Sequence, residues 1–180
     1  MPLPSKNNPT TLSPKQISYT ALFLALAIVI PIAFHQFGLA GRIFLPMHIP
    51  VLICGLAVGP LAGVLIGLMA PFLSHLLTSM PPSYAVPLMS MELPMYGLVA
   101  GIAYRKLNLN VYISLIVAMI VGRLMFALGL VILGRFIELP YGPLQFLAAG
   151  GAMVTGLPGI LVQIIIIPPI VAALKRADVK

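Results

Sequence analysis

The sequence predicts an all-α integral membrane protein, a bundle of six transmembrane helices with both termini in the cytoplasm. Three observations carry that prediction. The chain is 61% hydrophobic and only 7% charged, at a mean hydropathy of +1.12, whereas a soluble domain carries about 25% charged residues. Its apolar runs suffice for roughly six spans at about 20 residues each, which leaves no room for an extramembrane domain. Its basic residues gather on one side of those spans, and this sets the orientation.

The elements follow in order. Residues 1–15, MPLPSKNNPTTLSPK, are polar and proline-rich and too poor in basic residues to open a secretory signal, so they read as a flexible cytoplasmic tail. A single membrane domain then covers residues 16–174. Span one is expected over Gln16 to Phe37, with Pro31 a kink, and GLAGR turns the chain. Span two, Phe44 to Val58, is short for a bilayer and ends at the Gly59-Pro60 pair. Span three runs from Leu61 to Ser79, and MPPSY breaks the chain before span four, Val86 to Tyr104, which Arg105 and Lys106 close. Span five covers Leu109 to Leu133, GRFIELPYGP forms an amphipathic connection, and span six covers Phe146 to Leu174. Residues 175–180 are a basic cytoplasmic tail. The 18 prolines and 16 glycines signal kinks and close helix contacts rather than disorder, because helices inside a bundle re-satisfy the freed backbone groups.

With six spans, Lys6, Lys15, Arg105, Lys106, Lys175, Arg176 and Lys180 share one side. Arg42 and Arg135 lie on the other, where Glu138 offsets one of them. An odd number of spans would split the two terminal basic clusters, so both ends are placed in the cytoplasm.

This topology converts positions into depths. Between Leu45 and Gly101 the only fixed charge is Glu92. Counted at about 1.5 Å per residue from the cytoplasmic ends of their spans, Glu92 and Arg123 both lie roughly 18–21 Å up, in one layer. His75 falls at a similar height, and His35 and His48 fall near the outer ends of spans one and two. The polar landmarks therefore collect in the outer half of the bundle, as a pocket open to the outside requires. Ionisable residues at membrane depth are functional candidates by default, yet Glu92 and Arg123 also suit a structural ion pair. His35 and His48 read as interfacial, with His48 kept among the candidate ligand groups. Gln163 and Thr155 suit either a substrate or a neighbouring helix, and Tyr84 and Tyr96 suit either interface anchors or pocket walls.

Several classes drop out. The three histidines and Glu92 stand at spacings of 13, 27 and 17 with no cysteine cluster beside them, so no metal site is expected. No nucleophile elbow, zinc-protease helix or phosphate-binding loop is present, and no cofactor is expected. An ATP-driven machine would keep its nucleotide sites on another chain. The lone Cys54 allows no internal disulfide. The net charge of +7 belongs to the membrane topology rather than to a nucleic-acid partner.

Small residues mark helix contacts. Gly55, Gly59, Gly63 and Gly67 recur every four residues, and Gly97 and Gly101 repeat the spacing, which reads as internal packing. Ala21 and Ala25 form a small-residue stripe near the cytoplasmic end of span one.

Taken with the six spans, this stripe, the segment LPMHIPVLICGLAVGPLAG at 45–63, PFLSHLLTSMPP at 71–82 and MELPMYGLVAG at 91–101 resemble the S components of energy-coupling factor (ECF) transporters. The likeness runs over residues 16–174. It implies a substrate-binding subunit in a prokaryotic plasma membrane that captures a vitamin from outside and docks on one transmembrane coupling protein and two ATPase subunits. It further implies a pocket in the outer half of the bundle, closed by the loops after spans one, three and five, and a docking role for Ala21 and Ala25. The family's metal-specific members carry a histidine directly after the initiator methionine, where this chain has Pro2. The absence of tryptophan disfavours a stacked thiamine. Arg123 would suit a carboxylate, with Glu92 and Gln163 on hydroxyl or amide donors, and the LPMHIP and MPP segments are similar to the branch that takes pantothenate or corrinoid precursors. The alternative from another class is a small intramembrane enzyme using His75 and Glu92 on a lipid-borne substrate. A self-contained secondary transporter would want inverted repeats, and none is visible.

Overall fold

A computed structural model describes residues 12–35, 44–136 and 156–177. Among these, six α-helices and no strand are found: α1 Pro14–His35, α2 His48–Ala57, α3 Pro60–Thr78, α4 Ala85–Arg105, α5 Val111–Leu133 and α6 Leu157–Arg176. All except α2 are long and apolar enough to cross a membrane.

The local chemistry sets most boundaries. Ser13 and Gln16 form a reciprocal capping box, Ser13 N–H donating to Gln16 Oε1 (2.9 Å) and Gln16 N–H to Ser13 Oγ (3.3 Å). This starts α1 at Pro14, inside the stretch expected to be a tail. Asn110 Oδ1 accepts from the Ile113 N–H at 2.8 Å and starts α5. Gly59, at φ 144°, breaks the chain between α2 and α3, and Pro60 opens α3 where its missing N–H is harmless. At the far end of α3, Ser79 turns left-handed (φ 58°) and Thr78 Oγ1 donates to the Ser74 carbonyl at 2.7 Å.

The second span differs most from expectation. Leu45, at φ 50°, interrupts the chain, so the helix begins at His48 and has ten residues. At about 1.5 Å per residue it rises roughly 15 Å, half the thickness of the hydrocarbon core. Eight of its ten residues are buried. It is a central plug, packed by α1, α3, α4 and α6. A plug needs its end groups satisfied in place. The Ala57 carbonyl accepts from Arg105 Nη1, and the Val58 carbonyl accepts from Gln16 Nε2 at 3.3 Å. The cation also complements the negative end of the helix dipole.

Helix α4 is the other hub, packing on α2, α3 and α5. Glycine makes the approach possible: a Cβ on Gly97 would fall 2.4 Å from the backbone carbon of Gly63, and one on Gly55 would fall 2.3 Å from the Gly97 carbonyl oxygen. Gly55, Gly63, Gly67, Gly97 and Gly101 are thus internal packing, as their spacing predicted, whereas a Cβ on Gly59 would meet no neighbouring helix and that glycine serves the chain break instead. Outward, α1, α3, α5 and α6 present Leu22, Val29, Phe72, Ile120, Leu124 and Ile165, all more than half exposed, as a lipid-facing bundle requires. Ala21 and Ala25 lie on the exposed side of α1, opposite the buried Phe23 and Ala27.

Candidate functional site

Four buried polar side chains from four helices define the site. Glu92 on α4 and Arg123 on α5 form an ion pair, with Arg123 Nη1 3.0 Å from Glu92 Oε1 and side-chain exposures of 10% and 3%. His48, at the first turn of α2, brings Nε2 to 3.6 Å from the same oxygen. The Tyr96 hydroxyl lies beside the Glu92 carboxylate, and its ring meets the His48 ring edge-on at 5.0 Å between centroids. Gln163 is buried on the inner face of α6, in line with Gly159, Ile167 and Val171.

Helix geometry places these groups at one level. Glu92 lies 13 residues before Arg105, Arg123 12 residues after Val111, and Gln163 13 residues before Arg176. At about 1.5 Å per residue each stands roughly 18–20 Å from the end of the bundle that carries Arg105, Lys175 and Arg176. Gly122 makes room for the group. A Cβ there would sit 2.5 Å from Tyr96 Cε2, so its hydrogen lets the ring lie against α5 and hold His48.

The hydrogen bonding of this layer is incomplete. Both ring nitrogens of His48, Arg123 Nε and Nη2, and Gln163 Nε2 are buried with no hydrogen-bond partner among the described residues, and Glu92 Oε1 is ion-paired with Arg123 Nη1 without a well-formed hydrogen bond. Buried polar groups are satisfied in the great majority of cases, and each one left unpaired costs about 1–3 kcal/mol. Five such atoms beside the ion-paired Glu92 carboxylate make this layer the candidate set of donors and acceptors.

The other candidates fall elsewhere. His48 is not interfacial: α2 is half a span long, and its start therefore lies inside the bundle at the level of Glu92. His75 is engaged outside the layer, donating from Nδ1 to the Pro81 carbonyl at 2.7 Å and so tying the end of α3 to the loop that follows. It makes no pair with Glu92, as the enzymatic alternative would need. Tyr84 is half-buried directly before α4, beside the same loop. Thr155 lies outside the described residues, as do Arg42 and Glu138. No group of His, Cys, Asp or Glu suited to a metal ion occurs among the described residues. A cavity of about 410 Å³ lies at the other end of the bundle, lined by Leu56, Ala57, Tyr104, Arg105 and Lys175 among others, and shares no residue with the polar layer. Gly122 escaped the sequence reading, although a small residue directly before the intramembrane arginine was its signal.

A family model described as the ECF transporter, substrate-specific component, matches residues 15–171. No curated protein and no solved structure matches the chain.

Proposed function

The chain belongs to the substrate-specific components of ECF transporters, and we propose that its layer of His48, Glu92, Arg123 and Gln163 captures a vitamin-sized molecule arriving from outside a prokaryotic plasma membrane. Membership makes it a multi-pass substrate-binding subunit of an importer rather than an enzyme. The observation that carries the assignment of the site is the five buried nitrogens of His48, Arg123 and Gln163 that have no hydrogen-bond partner among the described residues, beside the Glu92–Arg123 ion pair. A purely structural ion pair would leave few such groups, whereas a binding layer holds them ready and completes them with ligand.

Several features support the finer reading. The layer stands far from the basic end, and the positive-inside rule, by assigning that end to the cytoplasm, favours an outer-half position for the layer. An even number of passes would keep both ends on the cytoplasmic side. Tyr96 and Tyr84 would wall the site, and the loop held by His75 would cover it. Ala21 and Ala25 leave a smooth outer face on α1 to receive the coupling protein, whose two ATPase partners supply the energy. Lipid surrounds the remaining apolar faces.

Native mass spectrometry of the detergent-purified chain tests this directly. A retained vitamin-sized molecule, together with copurification of ATPase subunits from the source membrane, is the expected result. Turnover of a lipid-borne substrate by the isolated chain would point to the intramembrane enzyme instead.

A further inference from the structure

We propose that the buried layer selects a ligand that is uncharged where it enters the site and that presents a carbonyl acceptor beside an N–H or O–H donor, as an amide, imide or cyclic urea does. This rests on the reading of the layer as the substrate site and names the chemical class it takes.

An intramembrane arginine seen in sequence invites a carboxylate. The structure changes the charge count. Arg123 Nη1 is 3.0 Å from Glu92 Oε1, so the two side chains form a unit without net charge, and both are at least nine-tenths buried. A carboxylate added to that unit would leave one uncompensated negative charge in a low-dielectric layer, a cost that pairing must offset. No other lysine or arginine of the described residues is there to offset it. Lys15, Arg105, Lys106, Arg135, Lys175 and Arg176 all lie at or beyond helix ends, and Arg105 is occupied by the Ala57 carbonyl. A carboxylate at Arg123 would also stand close to Glu92, where like charges repel.

The unpaired atoms point the same way, because they are of both kinds. Arg123 Nε and Nη2 and Gln163 Nε2 are donors, while Glu92 Oε1, ion-paired with Arg123 Nη1, keeps a second lone pair as an acceptor. A neutral His48 adds one donor and one acceptor. A carboxylate offers acceptors alone and would leave Glu92 Oε1 and the acceptor nitrogen of His48 unmatched. An amide or imide edge matches both, its carbonyl accepting from Arg123 or Gln163 and its N–H donating to Glu92 or His48. Unmatched buried partners are what give such sites strong discrimination.

The test uses matched pairs that differ at the charged group: nicotinamide and nicotinate, pantothenol and pantothenate, biotin amide and biotin, riboflavin and its phosphate. Each is titrated into the detergent-purified full chain by calorimetry. In the pair that binds, the uncharged member is expected to bind at least tenfold more tightly. An acid that binds more tightly than its neutral partner overturns the proposal and makes His48 a second cation, while leaving the substrate-site reading intact. Failure of every uncharged probe to bind also overturns it; if no vitamin of either class binds or is retained on purification, the substrate-site reading falls with it. Glu92→Gln gives a second arm. It leaves Arg123 uncompensated, so the preference should move toward the acid by about tenfold or more, and an unchanged ranking in a folded variant counts against the charge count. Should that variant fail to fold, the ranking on the unaltered chain decides by itself.

Discussion

Arg123 shows how much one residue's meaning depends on its neighbours. Its guanidinium spends one nitrogen on Glu92 and keeps two donors free, a geometry that an ammonium cannot copy. Arg123→Lys is therefore expected to weaken ligand binding by roughly ten- to a hundredfold, from the 1.5–3 kcal/mol of a charged hydrogen bond at about 1.4 kcal/mol per decade. The ligand-induced rise in melting temperature is the readout, and an unchanged rise would remove Arg123 from the site. Gly122 acts through shape. Alanine there would place Cβ 2.5 Å from a ring that is itself 1% exposed and packed on His48, so neither side can yield cheaply. Gly122→Ala should cost about 1–3 kcal/mol by overpacking, seen as a lower melting temperature of the empty protein, and should weaken binding as well because Tyr96 and His48 move together.

At the scale of elements, the bundle is organised by a helix too short to cross the membrane. Helix α2 is buried almost all round because four neighbours enclose it, and the side chains of Gln16 and Arg105 satisfy its last carbonyls. Its first turn consequently opens at the level of Glu92, which delivers His48 to the layer. The contact of α3 with α4 is backbone on backbone at Gly63 and Gly97. Gly97→Ala has no side chain to push aside and must separate two main chains; a loss of at least about 1–3 kcal/mol is expected, measured by thermal unfolding in detergent. A melting temperature equal to the parent's would mean that α3 and α4 slide past one another easily, contrary to such close packing.

For the whole molecule, the proposed binding layer and the proposed docking stripe lie in different parts of the bundle. The polar layer is enclosed, whereas Ala21 and Ala25 lie on the outside of α1 and toward the opposite end. Replacing both with leucine should abolish uptake in cells that hold the complete transporter while leaving ligand affinity of the purified chain within about twofold, since no contact of the layer changes. Parallel loss of binding would show that the stripe supports the bundle instead. The unpaired nitrogens of His48, Arg123 and Gln163 are shielded from lipid by the apolar exterior of the bundle.

Much was legible in the residues themselves. Hydrophobic run length settled the membrane class and the ends of α3, α4 and α5 to within two residues, because burial of backbone groups in lipid leaves helix as the available solution for each run. Counting residues from the basic ends also put Glu92 and Arg123 in one layer, since helical rise is constant along a straight span. Four things were decided by tertiary structure. Whether α2 spans depended on Leu45 turning the chain, which no hydropathy window registers. The place of His48 followed from that shortness, and the partner of His75 is a loop carbonyl six residues onward, supplied by the path of the chain after α3. Which of the polar groups would be left unpaired was fixed by side-chain packing between four helices. The sequence by itself thus determined what solvent the protein lives in and the shared level of Glu92 and Arg123, while tertiary structure decided the level of His48 and which groups face one another, because level along an unbroken helix follows from local rise whereas a broken span and helix rotation follow from contact.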